Sequence, residues 1–144
     1  MRYENFKLNS VYDGVDVIPA IIKFDSNTNK IVEEQYFSNG KLHRDNNKPA
    51  IIKYAEDGKA IIEEQYFSNG QLHRDDHPAI IKYGKDGIIP LKRHYYKEGK
   101  LHRDDNEPAV IIHNNDNIII EYRYYRDGKL HRDNNKPAII KYAE

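Results

Sequence analysis

An internal repeat is the feature of this sequence that most constrains its fold. The segment Gly40–Glu56 returns unchanged as Gly128–Glu144, and the segment Glu33–Gly40 returns as Glu63–Gly70. A fixed period is the sequence signature of repeat proteins, in which each unit buries its apolar surface against its neighbours. The chain is therefore expected to be a stack of similar units and not a domain built around one central core.

Two sequence markers set the length of the unit. The first is a turn glycine, followed two residues later by Leu and then by His-Arg-Asp, with spacings of 30, 29 and 29 residues; the second is a Pro-Ala pair. The glycines are Gly40, Gly70, Gly99 and Gly128; the triplets are His43-Arg44-Asp45, His73-Arg74-Asp75, His102-Arg103-Asp104 and His131-Arg132-Asp133; the pairs begin at Pro19, Pro49, Pro78, Pro108 and Pro137.

These markers predict about four and a half repeats of 29–30 residues in a single domain, residues 1–144. The first copy has the Pro-Ala pair but lacks His-Arg-Asp, whose place is assigned to Tyr12–Val15, YDGV. Terminal repeats are commonly atypical because they cap the stack. We therefore expect residues 1–16 to form an N-terminal cap, residues 17–144 to form the repeats, and the last repeat to be incomplete.

Each unit has the pattern of two strands followed by a short third one. In the second full copy, Ala50–Tyr54 is rich in β-branched residues, and Asp57-Gly58 separates it from the run Ala60–Phe67. Asn69-Gly70 then predicts a type I′ turn, after which Gln71–Arg74 pairs back on the preceding run. Because the second central residue of such a turn needs a positive φ, the four turn glycines are expected to have one.

No segment shows a helical period. Apolar residues occur as adjacent pairs, such as Ile61-Ile62 and Tyr66-Phe67, and neighbouring strand residues point to opposite faces. The sequence thus predicts an all-β repeat protein, an elongated antiparallel β-meander or solenoid of stacked hairpins. Both faces of its sheet are expected to be partly apolar, and ladders of Tyr and Ile side chains from repeat to repeat are expected to supply most of the stability.

Composition argues against several classes of function. Lys plus Arg equals Asp plus Glu, 23 against 23, so no net field attracts nucleic acid or an anionic membrane. The chain has no Cys, which favours an intracellular setting and excludes thiolate metal sites. Met1–Ser10 lacks a continuous apolar run, so neither a signal peptide nor a membrane span is expected. We expect a soluble protein without nucleic-acid or membrane partners.

The His-Arg-Asp triplet suggests catalysis or metal binding, but its repetition favours a structural role. The same tripeptide carries the catalytic Asp of protein kinases, yet this chain repeats it four times and has no Gly-rich loop. Equivalent residues two or three strands apart are separated by roughly 10 to 14 Å, too far to share a metal ion. No catalytic residue, metal or cofactor is expected.

Instead, each residue of the triplet is expected to have a structural role. Arg is expected to pair with the Asp of a neighbouring unit, Asp to cap loop N–H groups, and His to pack against the Tyr ladder.

The strings YYKEGKLHR at Tyr95–Arg103 and YYRDGKLHR at Tyr124–Arg132 resemble the MORN repeat and its bacterial antitoxin-like variants. They are still more similar to the longer repeat proteins of giant DNA viruses of amoebae. The resemblance covers about Val17 to the end and implies hairpins stacked into an elongated single-layer sheet. It also implies a viral source. The unit is longer than in MORN repeats, Trp is absent, and Arg follows the His where MORN repeats have Gly, so neither lipid binding nor any functional residue is carried over.

These features predict a non-catalytic protein that acts as an interaction surface or structural scaffold. The alternatives are a toxin-neutralising, immunity-like binder, implied by the resemblance, and a hydrolase that uses one His and Asp set. The strand Ala138–Tyr142, with Ala138, Ile139, Ile140, Lys141 and Tyr142, is expected to have one unpaired side and to form a homodimer, because an apolar edge is a template for pairing. Arg2–Asn9 is expected to cover the opposite edge or to be displaced from it.

Overall fold

The computed structural model describes residues 8–14 and 16–143, and this part of the chain contains strands and turns without any helix. The strands are β1 (Val11–Tyr12), β2 (Val17–Ile18), β3 (Ile21–Phe24), β4 (Ile31–Gln35), β5 (Phe37–Ser38), β6 (Lys41–Leu42), β7 (Ile51–Tyr54), β8 (Ile61–Gln65), β9 (Phe67–Ser68), β10 (Gln71–Leu72), β11 (Ile80–Tyr83), β12 (Pro90–His94), β13 (Tyr96–Lys97), β14 (Lys100–Leu101), β15 (Val110–His113), β16 (Ile119–Arg123), β17 (Tyr125–Arg126), β18 (Lys129–Leu130) and β19 (Ile139–Lys141). The predicted all-β architecture is confirmed.

One antiparallel sheet of nine strands runs through all the repeats. Its order is β19-β16-β15-β12-β11-β8-β7-β4-β3, which is a simple meander. Counted from one Pro-Ala pair to the next, four complete units supply two strands each, and β19 begins a fifth. We number them unit 1 (residues 19–48), unit 2 (49–77), unit 3 (78–107) and unit 4 (108–136).

A β-bulge recurs at the turn end of every hairpin in this sheet. In unit 2, Tyr54 pairs with Ile61 but Lys53 pairs with Glu63, so Ile62 is an extra residue without a partner. The hairpins of units 1, 3 and 4 shift register at the same place. The adjacent apolar pair at Ile61-Ile62 therefore lies at a bulge, where the strand bends and its twist increases.

Beyond each second strand the chain leaves the sheet and forms a short hairpin. These hairpins are β5–β6, β9–β10, β13–β14 and β17–β18, each a separate two-stranded sheet. The predicted pairing of Gln71–Arg74 with the preceding run is confirmed for Gln71 and Leu72. The turn glycines have φ values of 76°, 85°, 82° and 83°, so the prediction of positive φ is confirmed. The residues before them also have positive φ, as a type I′ turn requires.

A second tight turn follows each triplet, where the sequence had indicated only a loop. In unit 1, Asn46 and Asn47 have φ values of 62° and 54°. Asn and Asp tolerate this left-handed region better than other residues because their short side chains bond locally to the backbone. Units 3 and 4 also have two positive-φ residues at this turn, whereas unit 2 has only Asp76 there. The turn brings the chain back to the Pro-Ala pair and the next sheet strand.

The N-terminal segment corrects the assignment of the missing triplet. The N–H of Gly40 donates to the carbonyl oxygen of Leu8, and the N–H of Asn39 donates to Asn9 Oδ1 at 2.6 Å. In later units the equivalent bonds end on the Leu and His that precede Arg. Leu8-Asn9-Ser10, and not Tyr12–Val15, therefore occupies the place of Leu-His-Arg. The prediction that Arg2–Asn9 covers an edge lies outside the described residues except for Leu8 and Asn9, which lie against the first short hairpin.

The core is thin and lies at the junction of sheet and hairpins. The buried residues include the Tyr that follows a second sheet strand and the Ala of the Pro-Ala pair, namely Tyr36, Tyr66, Tyr124, Ala50, Ala79 and Ala109. Along the sheet, isoleucines do not stack on one another as expected. They alternate with polar or aromatic residues in the row Ile22, Glu34, Ile52, Glu64, Ile81, Arg93, Ile111, Tyr122 and Ile140.

Candidate functional site

The arginine of every triplet stacks on a tyrosine of its own unit. The guanidinium carbon lies 3.7 Å from the ring centre for Arg44 on Tyr36 and for Arg74 on Tyr66, 3.9 Å in unit 3 and 4.0 Å in unit 4. Each arginine also donates from Nη1 to the carbonyl oxygen of the next Pro, at 3.2 to 3.3 Å. Arg therefore holds the two ends of the loop together through a cation–π contact and a hydrogen bond.

The arginine contacts correct the expected pairing of Arg with the Asp of a neighbouring unit. The contacts of Arg with a neighbouring unit are the bond to the Pro carbonyl oxygen and, for Arg74, a bond from Nε to Asn47 Oδ1 at 2.8 Å. The sequence contains a signal for the tyrosine contact, because the Tyr always precedes its Arg by eight residues, as in Tyr36 and Arg44. A constant separation between two residue types in every unit indicates a contact repeated in every unit.

The histidine of the triplet joins one unit to the next through hydrogen bonds. His43 Nε2 lies 2.7 Å from Asp45 Oδ1, and His43 Nδ1 accepts the backbone N–H of Asn69 at 3.1 Å. His73 and His102 make the same pair of contacts, with acceptance from the N–H groups of Glu98 and Asp127 at 3.0 and 3.1 Å. His131 bonds Asp133 at 2.8 Å.

A backbone hydrogen bond accompanies each histidine contact. The N–H of Gly70 donates to the carbonyl oxygen of Leu42 at 2.8 Å, and Gly99 and Gly128 donate in the same way to the Leu of the preceding unit. Successive short hairpins are thus joined by two hydrogen bonds, one to Leu and one to His. We call each set of triplet, stacked Tyr and following hairpin turn a clasp.

The aspartates of the triplets are exposed partners of these histidines. The hydrogen bond from His102 lowers the pKa of Asp104, and the hydrogen bond from His131 together with Arg126 lowers the pKa of Asp133. Asp45 and Asp75 expose 82% and 88% of their side chains, so each retains a carboxylate surface towards solvent. Within residues 8–14 and 16–143, no three His, Asp or Glu side chains are arranged to hold a metal ion.

A row of depressions follows the clasps, one beside each short hairpin. Each contains an aromatic ring from the first strand of that hairpin, namely Phe37, Phe67, Tyr96 and Tyr125, and the triplet residues around it. The volumes are about 470, 360, 240 and 90 Å³ from unit 1 to unit 4. Neighbouring depressions share triplet residues, such as His43 and Asp45 between the first two, so they form one groove. We call it the clasp groove.

A second repeated cluster lies where the sheet meets the stacked tyrosines, and the sequence had not indicated it. Glu64 Oε1 accepts the hydroxyl of Tyr83 at 2.6 Å, and Glu64 Oε2 accepts that of Tyr66 at 3.3 Å. Glu34 accepts the hydroxyls of Tyr54 and Tyr36 at 2.7 and 3.1 Å. Burial and the adjacent carboxylate raise the pKa of Tyr36 to about 12, so these hydroxyls remain protonated donors.

Comparison with family models, curated proteins and solved structures found no match. The resemblance to MORN repeats therefore stays a prediction. In the part of the chain that the structure describes, no helix has the length and apolar character needed to cross a bilayer.

Proposed function

We propose that this chain is a non-catalytic scaffold that binds an extended segment of another protein along the clasp groove. The observation that carries the proposal is the repetition of one depression beside all four hairpins. Two strands separate equivalent positions, so a linear partner meets an equivalent set of residues about every 9.6 Å. Each position offers an aromatic ring for apolar contact and exposed carboxylates for hydrogen bonding, which suits a chain that presents side chains and backbone N–H groups in turn.

Engagement of the triplets in structural contacts supports a non-catalytic role. His43, His73 and His102 use both ring nitrogens, one on an Asp and one on the next unit's backbone N–H. A general base needs a free nitrogen within reach of the proton it removes. Because each copy has equivalent partners, catalysis by one copy would leave the others unexplained. We expect His102→Ala to lower stability without abolishing a reaction; hydrolase or phosphotransfer turnover that disappears in this variant alone would contradict the proposal.

The class of partner is inferred from the sequence resemblance and from composition. The resemblance to antitoxin-like repeats favours a toxin as one class of protein partner, and the resemblance to giant-virus repeats favours a viral source. The absence of Cys supports an intracellular setting, where free thiols and not disulfides are the rule. Equal numbers of acidic and basic residues give no electrostatic reason to choose nucleic acid or an anionic membrane.

Peptide selection with a matched pair of variants tests the groove. Short random peptides selected on the wild-type protein are measured against Phe67→Ala/Tyr96→Ala, which removes two groove rings, and against Lys59→Ala at the far end of the sheet hairpin. We expect binding about tenfold weaker to the groove variant and unchanged to the control, since buried aromatic residues dominate such interfaces. Circular dichroism verifies that both variants fold. Equal binding to both variants would contradict the proposed site.

We also propose that the chain self-associates through β19. This strand pairs with β16 on one side, and no strand of the described residues lies on its other side. Ile139 and Tyr142 are 42% and 50% exposed, so the edge combines free backbone groups with apolar side chains. Pairing of β19 with β19 closes a two-fold dimer, whereas pairing of β19 with β3, the opposite edge, produces open fibres.

The direction of the backbone in β19 provides a specific test. The N–H of Tyr142 donates to Ile120 inside the sheet, so the N–H of Lys141, one residue away, points outwards. Lys141→Pro removes that outward donor, and Lys141→Ala is the matched control. Light scattering over a concentration series is expected to give a dimer for the wild type and the control and a monomer for Lys141→Pro. A wild-type mass that stays monomeric at every concentration would contradict self-association.

A further inference from the structure

We infer that the clasps are pH-sensitive joints, in which protonation of His43, His73 and His102 removes one of the hydrogen bonds that couple each short hairpin to the next. A backbone N–H always donates, so the Nδ1 atom that receives it carries no proton. That nitrogen accepts the N–H groups of Asn69, Glu98 and Asp127 at 3.0 to 3.1 Å. The geometry therefore fixes each ring as the neutral tautomer with its proton on Nε2, directed at the Asp of the same triplet.

Protonation affects the two ring contacts in opposite ways. The Nε2 contact with Asp45, Asp75 or Asp104 persists and gains charge when the ring becomes a cation. The Nδ1 contact is lost, because two N–H donors then face each other. Uptake of this proton therefore removes one of the two hydrogen bonds at each joint and leaves the bond from Gly to Leu.

The N-terminal joint contains a substitution that is not sensitive to pH. Asn9 occupies the place of the clasp histidine, and its Oδ1 accepts the N–H of Asn39 at 2.6 Å. A side-chain amide oxygen is an acceptor at any pH in this range. The same joint is thus built once with a group that does not titrate and three times with one that does, which makes Asn9 a control inside the molecule.

The charged groups around the three histidines predict a graded response. Each has one triplet carboxylate and one triplet guanidinium beside it, and the guanidinium is held on a tyrosine. The next hairpin brings neutral Asn69 to His43 and acidic Glu98 to His73. At His102 the carboxylate of Asp127 lies 3.5 Å from Nδ1 and can accept a hydrogen bond from the new Nδ1–H group. The joint at His43 should therefore weaken most and the joint at His102 least.

Other charges lie near these rings on the remaining elements. Asp16 and Lys48 line the depression beside His43, and Lys48 also lines the next one, beside His73. Lys97 lies 3.5 Å from Asp104, and Asp105 and Glu107 line the depression beside His102. Acidic groups surround His102 most densely, which agrees with the predicted order. The inference concerns the coupling of units and does not depend on what the groove binds.

Hydrogen exchange followed by NMR tests the joints one by one. Protection factors of the amides of Asn69, Glu98 and Asp127 are compared with that of Asn39, at a pH above and a pH below the imidazole range. Relative to Asn39, we expect the amide of Asn69 to lose about tenfold in protection at the lower pH, the equivalent of one hydrogen bond, and Asp127 to lose least. Equal protection of all four amides at both pH values would overturn the inference.

Two variants at one position separate loss of the hydrogen bond from loss of folding. His43→Asn copies Asn9 and is expected to keep the amide of Asn69 protected at both pH values. His43→Ala removes the acceptor and is expected to leave that amide unprotected at both. If His43→Asn loses protection on acidification as the wild type does, the titrating group is not this ring and the inference fails. If His43→Ala does not fold, the Asn variant alone decides between the two results.

Discussion

The first two units and the last two differ inside the sheet but not at the clasps. Glu34 and Glu64 each accept two tyrosine hydroxyls. At the equivalent place unit 3 has Arg93, whose Nη1 lies 3.3 Å from His113, and unit 4 has Tyr122, which meets Tyr142 edge-on with ring centres 6.0 Å apart. Over the same units the distance from Arg to the Tyr ring stays between 3.7 and 4.0 Å.

This difference shows which contacts the repeat depends on. At the position of Glu34 and Glu64, unit 3 has a base and unit 4 has an aromatic residue. The residue that faces this position also changes, from Tyr opposite the glutamates to His opposite Arg93. The triplet, its stacked Tyr and the following Pro keep their residue types in all four units, because the same Arg, Tyr and Pro must meet for the loop to close. The clasp therefore sets the spacing of units, and the sheet interior tolerates any matched set that satisfies its hydrogen bonds.

The charges on the sheet differ between the two halves as well. In units 1 and 2 lysines and glutamates alternate across the strands, with Lys23 at 3.0 Å from Glu33 and Lys53 at 3.2 Å from Glu63. Burial opposes ionisation of Glu63, but bonds from Gln65 and Lys53 outweigh it and lower its pKa. In unit 3 the alternation ends, because Lys82 pairs across the strands with Lys92.

Removal of a tyrosine hydroxyl should give the largest difference in stability between the Glu-centred clusters of the first two units and the Tyr122 contact of the last. Tyr83→Phe deprives Glu64 of a donor at 2.6 Å, and we expect a loss of about 1.5 to 2 kcal/mol in the free energy of unfolding, the range for a bond to a charged group. Tyr54→Phe should cost the same. Tyr142→Phe keeps its ring contact with Tyr122 and should change stability by less than about 0.5 kcal/mol. Urea unfolding measures all three variants. Similar losses of unfolding free energy for Tyr83→Phe and Tyr142→Phe would show that the two halves of the sheet do not differ in this way.

Mild acid should weaken the sheet of units 3 and 4 through their histidines. Burial, with help from Lys82, Lys92 and Arg123, lowers the pKa of His94, and burial beside Arg93 lowers the pKa of His113. A lowered pKa means that the unfolded chain takes up the proton first, so stability present at neutral pH is lost as the pH falls through the ordinary histidine range. Units 1 and 2 have Gln35 and Gln65 at the place of His94.

His94→Gln copies those units and provides the measurement. Urea midpoints are compared at neutral pH and below the histidine range for the wild type and the variant. We expect the variant to lose less stability on acidification, while the clasp histidines contribute equally to both proteins. An identical loss in the two proteins would mean that His94 binds protons equally in the folded and unfolded chains.

Restoring the alternation of charge should have the smallest effect. Lys92→Glu places an acid opposite Lys82, and a cross-strand pair of opposite charges is worth roughly 0.5 kcal/mol over a pair of like charges at a partly exposed site. Lys85→Glu makes the same change in an exposed turn and is the control. A slightly higher thermal midpoint is expected for Lys92→Glu only. No gain, or an equal gain in the control, would show that like charges at this place cost nothing.

The local turns and strands could be predicted from the sequence because their signals are local. Asn69-Gly70 and Asp57-Gly58 lie at the predicted turns, and Gly70 has the φ that its turn type demands. The point at which the chain leaves the sheet was not predictable in this way. Gln65 and Phe67 belong to one continuous β-like run, and only their different partners, Ile80 for Gln65 and Leu72 for Phe67, show where the sheet ends.

The sequence singles out the triplets of the candidate site but neither their contacts nor the aromatic rings of the groove, namely Phe37, Phe67, Tyr96 and Tyr125. Repetition of the triplet predicts a structural role, and the attraction of opposite charges predicts that its Arg pairs with an Asp. In the folded chain Arg74 meets Tyr66, because the intervening hairpin folds back and brings residues eight apart into contact. The sequence does not indicate the role of Asn9, because its equivalence to His appears only in the hydrogen bonds from Asn39 and Gly40 to Asn9 and Leu8.

The stability of four arginine variants, measured side by side, tests most directly whether every clasp performs the same structural task. Arg44→Ala, Arg74→Ala and Arg103→Ala each remove a cation–π contact and a bond to a carbonyl oxygen, and each should cost about 2 kcal/mol in the free energy of unfolding. Arg126→Ala, which removes an exposed ion pair with Asp133, should cost less than about 1 kcal/mol. A clasp arginine whose removal costs no more than that of Arg126, while the other two cost the full amount, would contradict the account and indicate a separate role for that unit.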